Sequence, residues 1–179
     1  MIIFKAISVH KIAAALAAGA AAKTGNLVLS LTGDVSFNGE NNSTILDRSI
    51  NALVTTAGSA GAPTTVSYSP FSSGASYFFD GAGDYLTAPS SATFAFGTGD
   101  FTVEFWLNLN STAAPQTVYS HLDGTATLNP HIWCDTGGTI YYYTNANRIT
   151  GAALATDRWY HIALCRSSGS TRLFIDGVQ

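Results

Sequence analysis

Phe101-Thr-Val-Glu-Phe-Trp-Leu-Asn-Leu109 alternates without a break. Phe101, Val103, Phe105, Leu107 and Leu109 fall on one side of an extended chain, and Thr102, Glu104, Trp106 and Asn108 on the other. A period of two is that of a strand with one face on a core, because successive Cβ atoms of a strand point to opposite faces of its sheet. A helix would scatter the same residues around its circumference. The odd-numbered set is therefore expected to be buried.

The same reading extends in both directions from this stretch. Downstream, strands are expected at 116–121, 130–134, 139–144, 159–166 and 171–175, spaced as the short strands of a sandwich are. Upstream, 26–31 reads as a strand, 33–51 as a long polar loop around Asn38-Gly-Glu-Asn-Asn42, and 57–63 as a small, Gly-rich turn region. Ser76-Tyr-Phe-Phe79, Asp80-Gly-Ala-Gly-Asp84 and Tyr85-Leu-Thr-Ala88 read as a hairpin with a Gly-rich turn. Composition agrees: 46% of residues are hydrophobic and only 11% charged, with 17 glycines, which suits short strands and tight turns better than charged helix faces. At 179 residues there is room for one sizeable core but not for two ordinary domains and a linker. The expected class is all-β.

The first 24 residues differ from the rest. They hold Lys5, Lys11 and Lys23 and no acid, so the remaining chain has 11 acids against 5 bases and no basic stripe for nucleic acid. Residues 7–22 read as an Ala-rich helix, and the composition changes at Lys23-Thr24-Gly25. The segment imitates a signal peptide, but its apolar run is too short for a bilayer, which needs about 20 residues. We expect 1–24 to be a helical arm that docks on a partner protein, since so short a helix is marginal alone, and 25–179 to be the sandwich. At the other end, Asp176-Gly177 is a hairpin-turn pair followed only by Val178 and Gln179. A hairpin cannot close on two residues, so the sandwich is expected to be incomplete there.

Three collinear segments resemble one family. Tyr77-Phe-Phe-Asp-Gly-Ala-Gly-Asp-Tyr-Leu86, Phe96-Gly-Thr-Gly-Asp-Phe-Thr-Val-Glu-Phe-Trp106, and Trp159-Tyr-His-Ile-Ala-Leu-Cys-Arg166 with Leu173-Phe-Ile-Asp-Gly177 look like the laminin-G-like jelly roll of the concanavalin A-like lectin/glucanase superfamily. The resemblance implies an antiparallel two-sheet jelly-roll sandwich over residues 26–179. Sandwiches of this wording, rich in Ser, Gly and Thr, are common in bacteriophage tail fibres and capsid-associated proteins and in bacterial surface proteins.

The resemblance also raises chemistry to be weighed. Glycoside hydrolases need two carboxylates flanking the scissile bond, and glucanases of this superfamily carry them as E-x-D-x-x-E or E-x-D-x-E on one strand. Here Glu104 is the lone acid of the matching strand, so a non-enzyme is expected. Calcium takes oxygen ligands, and the candidates are Asp80 and Asp84, which share one turn, with Asp123 and Asp135 scattered beyond them. Against it stands the commoner use of aspartates, bracing a turn by accepting backbone N–H bonds. No other cofactor is expected. His121, His131 and His161 with Cys134 lack zinc-ligand spacing. Cys134 and Cys165, set in separate strands, read as two buried thiols. Asn41, Asn42 and Asn110 match the N-glycosylation pattern, as chance allows in so Ser-, Thr- and Asn-rich a chain.

Aromatic faces stack on pyranose rings while Asn, Asp and Arg fix hydroxyls, so Trp133, Tyr141, Tyr142, Tyr143, Asn145 and Arg148, with Asn147 between the last two, are the expected glycan-binding residues. In a strand, Tyr141 and Tyr143 share one face and Tyr142 takes the other, so at least one side belongs to the core. The expectation is a non-enzymatic virion structural protein, a tail fibre or capsid decoration, whose sandwich recognises a surface or glycan. Residues 1–24 would bind other virion proteins, and homo-oligomers, trimers by analogy with fibres, are expected. The alternatives are a secreted or cell-surface bacterial carbohydrate-binding domain and, behind it, a glycoside hydrolase fragment.

Overall fold

The computed structural model describes residues 2–12, 25–32, 56–57, 63–71, 76–89, 94, 96–120, 131–144 and 146–179. The elements among them are all strands: β1 (Ile2–Ile12), β2 (Gly25–Thr32), β3 (Thr56–Ala57), β4 (Thr64–Val66), β5 (Ser76–Phe79), β6 (Leu86–Thr87), β7 (Asp100–Leu109), β8 (Gln116–Ser120), β9 (His131–Cys134), β10 (Thr139–Tyr143), β11 (Asn147–Ala153), β12 (Trp159–Ser167) and β13 (Ser170–Ile175). One sheet runs β13-β12-β7-β1-β5-β4, with β2 also on β1; the second runs β11-β10-β9-β8; β3 and β6 form a small third ladder. The ladders of both main sheets are antiparallel. The chain is an all-β, two-sheet sandwich.

β7 is the organising strand. Phe101, Val103, Phe105, Leu107 and Leu109 are each 2% exposed or less, as their alternation requires. They meet Tyr160, Ile162 and Leu164 of β12, Tyr77 and Phe79 of β5, and Leu173 of β13 in one core with Ile132 and Cys134 of β9 and Ile140 and Tyr142 of β10. Phe96 stacks on Phe101 at 4.9 Å between ring centroids, sealing one end of β7. Burying a large apolar side chain of this kind stabilises by about 1.5–3 kcal/mol, so the inward row of β7 is a main source of the fold's stability. Among the even positions, Thr102, Glu104 and Trp106 are half-buried, but Asn108 is wholly buried.

The structure corrects the reading of the N-terminal segment. Ile2–Ile12 is a strand lying in the larger sheet, where one edge pairs with β7 and the other is shared by β5, at Ile2 to Phe4, and β2, at Ala6 to Ile12. Residues 7–12 of the expected helix are therefore strand, and the segment before residue 13 is laid into the sandwich sheet instead of standing off as an arm. The β-branched Ile2, Ile3, Ile7, Val9 and Ile12, and the alternation of Ile7 and Val9 with Ser8 and His10, favour extended chain. The Ala-rich run that suggested a helix lies in 13–24, outside the described residues, as does the expected loop at 33–51.

The expected hairpin of 76–79 with 85–88 is also corrected. β5 has β4 on one edge and β1 on the other, so no edge is open to β6, which pairs with β3 instead. Strands β4 and β11 were not anticipated. The other expected strands are present with ends shifted by one or two residues. Both two-residue turns at the C-terminal end have the type I′ form, with Ser168 and Gly169 at φ 50° and 79° and Asp176 and Gly177 at 50° and 80°. Across the second turn Ile175 and Val178 exchange two hydrogen bonds of 2.8 and 2.9 Å. The two cysteines are free thiols, Cys134 buried and Cys165 half-buried. Among the described residues no helix is long and apolar enough to cross a membrane.

Candidate functional site

The outer face of the larger sheet is built by the residues of β7 and β12 that alternate away from the core. The register sets Asn108 opposite Trp159, Trp106 opposite His161 and Glu104 opposite Ala163. Cross-strand neighbours on one face lie about 4.5–5.5 Å apart at Cβ, so these side chains form a continuous row. Trp106 packs on the His161 ring at 5.2 Å between centroids. His161 Nε2 stands 3.5 Å from Glu104 Oε2.

A strap of irregular chain, residues 67–71, leaves β4 and crosses this face. Ser76 Oγ of β5 donates a hydrogen bond to the Tyr68 carbonyl at the start of the crossing. On the far side Tyr68 packs on Trp159 at 5.4 Å and Phe71 meets Trp106 edge-on at 5.4 Å. Tyr68 and Phe71 are nevertheless 46% and 52% exposed, so their rings are open to solvent on the side away from the sheet. Asn108 Nδ2 donates to the Tyr68 hydroxyl at 3.3 Å.

Beneath Tyr68 an acceptor and a donor are buried together. Asn108 Oδ1 and Trp159 Nε1 are inaccessible and have no hydrogen-bond partner among the described residues. Buried polar groups in folded proteins are nearly always paired, and an exception requires a cause. A buried water or a hydroxyl can donate to the carbonyl oxygen and accept from the indole N–H at once. The face thus offers aromatic rings for an apolar surface and a carboxylate and imidazole for polar groups. Tyr68, Phe71, Asn108 and Trp159 were not among the expected glycan-binding residues. Tyr68 and Phe71 lie in a segment with no periodicity, and only the even-numbered face of 101–109 pointed this way.

The expected glycan residues are divided by the structure. Trp133 and Tyr141 are cross-strand partners on the outer face of the smaller sheet, with rings stacked at 5.0 Å and 21°. Tyr143 joins them on that face, edge-on to His131 at 5.8 Å. Tyr142 does not belong with them: it is 8% exposed and points into the core, where burial raises its hydroxyl pKa against the opposing pull of Arg166, Arg148 and Thr144. Arg148 is turned to the strand end, its Nε donating to the Thr144 carbonyl and hydroxyl at 3.1 Å each. Asn145 lies outside the described residues.

The Tyr141 hydroxyl donates to Asp135 Oδ2 at 3.0 Å, and Asp135 Oδ1 accepts the Thr139 N–H at 2.9 Å. The hydrogen bond to Asp135, with desolvation and the carboxylate charge behind it, keeps the Tyr141 hydroxyl protonated above the usual tyrosine range. Burial lowers the His131 pKa, which favours the neutral ring. Of the carboxylates proposed for calcium, Asp80 and Asp84 brace a turn: Asp84 Oδ2 accepts the Asp80 N–H at 2.9 Å and Asp80 Oδ1 the Ala82 N–H at 2.6 Å. Asp123 lies outside the described residues. Among the described residues no three His, Cys, Asp or Glu side chains gather as metal ligands would.

Residues 80–179 match a laminin-G-type family model described as the concanavalin A-like lectin/glucanases superfamily. No curated protein and no solved structure matches the chain significantly.

Proposed function

Since the chain belongs to the concanavalin A-like lectin/glucanases superfamily, we propose that it is a carbohydrate-binding module whose site is the outer face of the larger sheet. The observation that carries the reading is the aromatic set on this face, the half-exposed rings of Tyr68 and Phe71 packed on Trp159 and Trp106 beside the Glu104 carboxylate. A sugar supplies what each part lacks. Its apolar C–H face covers an aromatic ring, and a hydroxyl donates to Glu104.

Binding without hydrolysis is the form of the proposal. Glycoside hydrolysis uses two carboxyl groups about 5–5.5 Å apart for retention or about 6.5–9.5 Å apart for inversion. Glu104 is the one acid between Phe101 and Leu109, and His161 is the group set against it. The setting we propose is a virion surface, as a fibre or capsid decoration. Its support is that Ser-, Gly- and Thr-rich laminin-G-like sandwiches are common in phage fibres and capsid-associated proteins. A secreted or cell-surface bacterial module is the second setting, and immunogold labelling of purified particles separates the two.

The binding proposal is tested by screening the protein on a glycan array and titrating the strongest oligosaccharide into wild type, Trp106→Ala and Glu104→Gln. Both variants alter half-buried outer-face side chains, so folding is retained. Affinity is expected to fall about tenfold or more for Trp106→Ala, as loss of about 1.4 kcal/mol of stacking gives, and several-fold for Glu104→Gln. No reducing ends should appear during the titration. Unchanged affinity in both variants would remove the site from this face, and release of reducing ends by wild type would overturn the non-catalytic reading.

A further inference from the structure

We infer that the outer face of the smaller sheet is a second, independent carbohydrate site, one that takes a neutral oligosaccharide chain laid across the strands. The register places Thr117 of β8, Trp133 of β9, Tyr141 of β10 and Thr150 of β11 in one line at right angles to the strands. Two near-parallel aromatic rings thus stand between two exposed threonines. Three inter-strand steps of about 4.8 Å make the row about 14 Å long, enough for two or three pyranose units end to end.

The chemistry of the row selects the occupant. Trp133 and Tyr141 present half-buried ring surface for apolar sugar faces, and their positions are fixed by the stack and by the Asp135 clamp on the Tyr141 hydroxyl. A ring already held loses little conformational freedom when a ligand covers it. The threonine hydroxyls at both ends donate and accept, as sugar hydroxyls do. The charge on the row is the Asp135 carboxylate, while Arg148, the nearest base in sequence, is directed at Thr144. That balance disfavours sialylated and uronic-acid glycans. The next cross-strand pair, His131 with Tyr143, widens the aromatic surface.

This site does not depend on the one between β7 and β12, because the two are on opposite faces of the sandwich and share no residue. Calorimetric titration with cello-, xylo-, manno- and maltohexaose separates them, using wild type, Trp133→Ala, Trp106→Ala and Thr117→Val. At least one hexasaccharide is expected to bind a site that Trp133→Ala weakens more than tenfold, that Thr117→Val weakens a few-fold, and that Trp106→Ala leaves unchanged. Equal binding by wild type and Trp133→Ala, or no binding of all four hexasaccharides to wild type, overturns the inference. So does a change of oligomeric state in Trp133→Ala with binding intact, which would make the row an interface between copies. Loss of binding in Trp106→Ala alone would leave the larger-sheet site standing and remove this one.

Discussion

Cys134 shows how closely a residue's chemistry here follows its place in the strand alternation. It is 1% exposed on the core face of β9, and burial with the neighbouring Asp135 charge pushes its thiol up to about 12. At pH 8 the reactive thiolate is then about one part in ten thousand, before any steric protection. We expect iodoacetamide at pH 8 to leave Cys134 unmodified in the native protein and to modify it in guanidinium, read by peptide mass. Native labelling at the rate of an open thiol would take β9 out of the core. The same alternation separates Tyr142 from Tyr141 and Tyr143, and that much was legible from the sequence. Which tyrosine faced the core was not, because three identical residues in a row carry no asymmetry of their own. The positions of Tyr68 and Phe71 were illegible for another reason. An irregular strap has no period, and its place is set by partners as distant in sequence as Trp106 and Trp159.

Among the elements, β7 and β1 mark the limits of local reading. β7 was legible because its first eight positions, Asp100 to Leu107, alternate between a half-open face and a dry core. β1 was not, since its β-branched residues adjoin an Ala-rich run whose helical pattern covers part of the same window. Tertiary pairing decided the matter. The hairpin expected at 76–88 failed because both edges of β5 were taken by strands distant in sequence, which no turn signal records. The pairing of β1 gives a sharp prediction. Ser8 lies between Glu104 of β7 and Ser30 of β2, so a proline there removes an N–H from a strand paired on both edges. Ser8→Pro should cost about 3 kcal/mol, counting the lost bond and the carbonyl left unpaired, and lower Tm by about 6–12 °C. A Tm within a degree of wild type would show that residues 2–12 are not part of the sheet.

Taken as a whole molecule, the sandwich turns two alternating faces outward from one core, and both carry aromatic rows. The larger-sheet row contains Trp106 and Trp159, and the smaller-sheet row Trp133, so the protein's three tryptophans report on the two faces separately. Two sites on opposite faces, as proposed above, would let one molecule bridge two glycan chains. The resemblance of the C-terminal segments to a known sandwich family was readable in order and spacing. The ligand face was not, because it is assembled from β7, β12 and a strap whose proximity only the fold creates. The central claim, sugar binding on the outer face of the larger sheet, is tested most directly by following the three indole N–H resonances in 1H–15N spectra during titration with the oligosaccharide that is strongest on the array. The account predicts that the Trp159 and Trp106 signals move together along one saturating curve. Saturation of the protein with those two signals unmoved would contradict it.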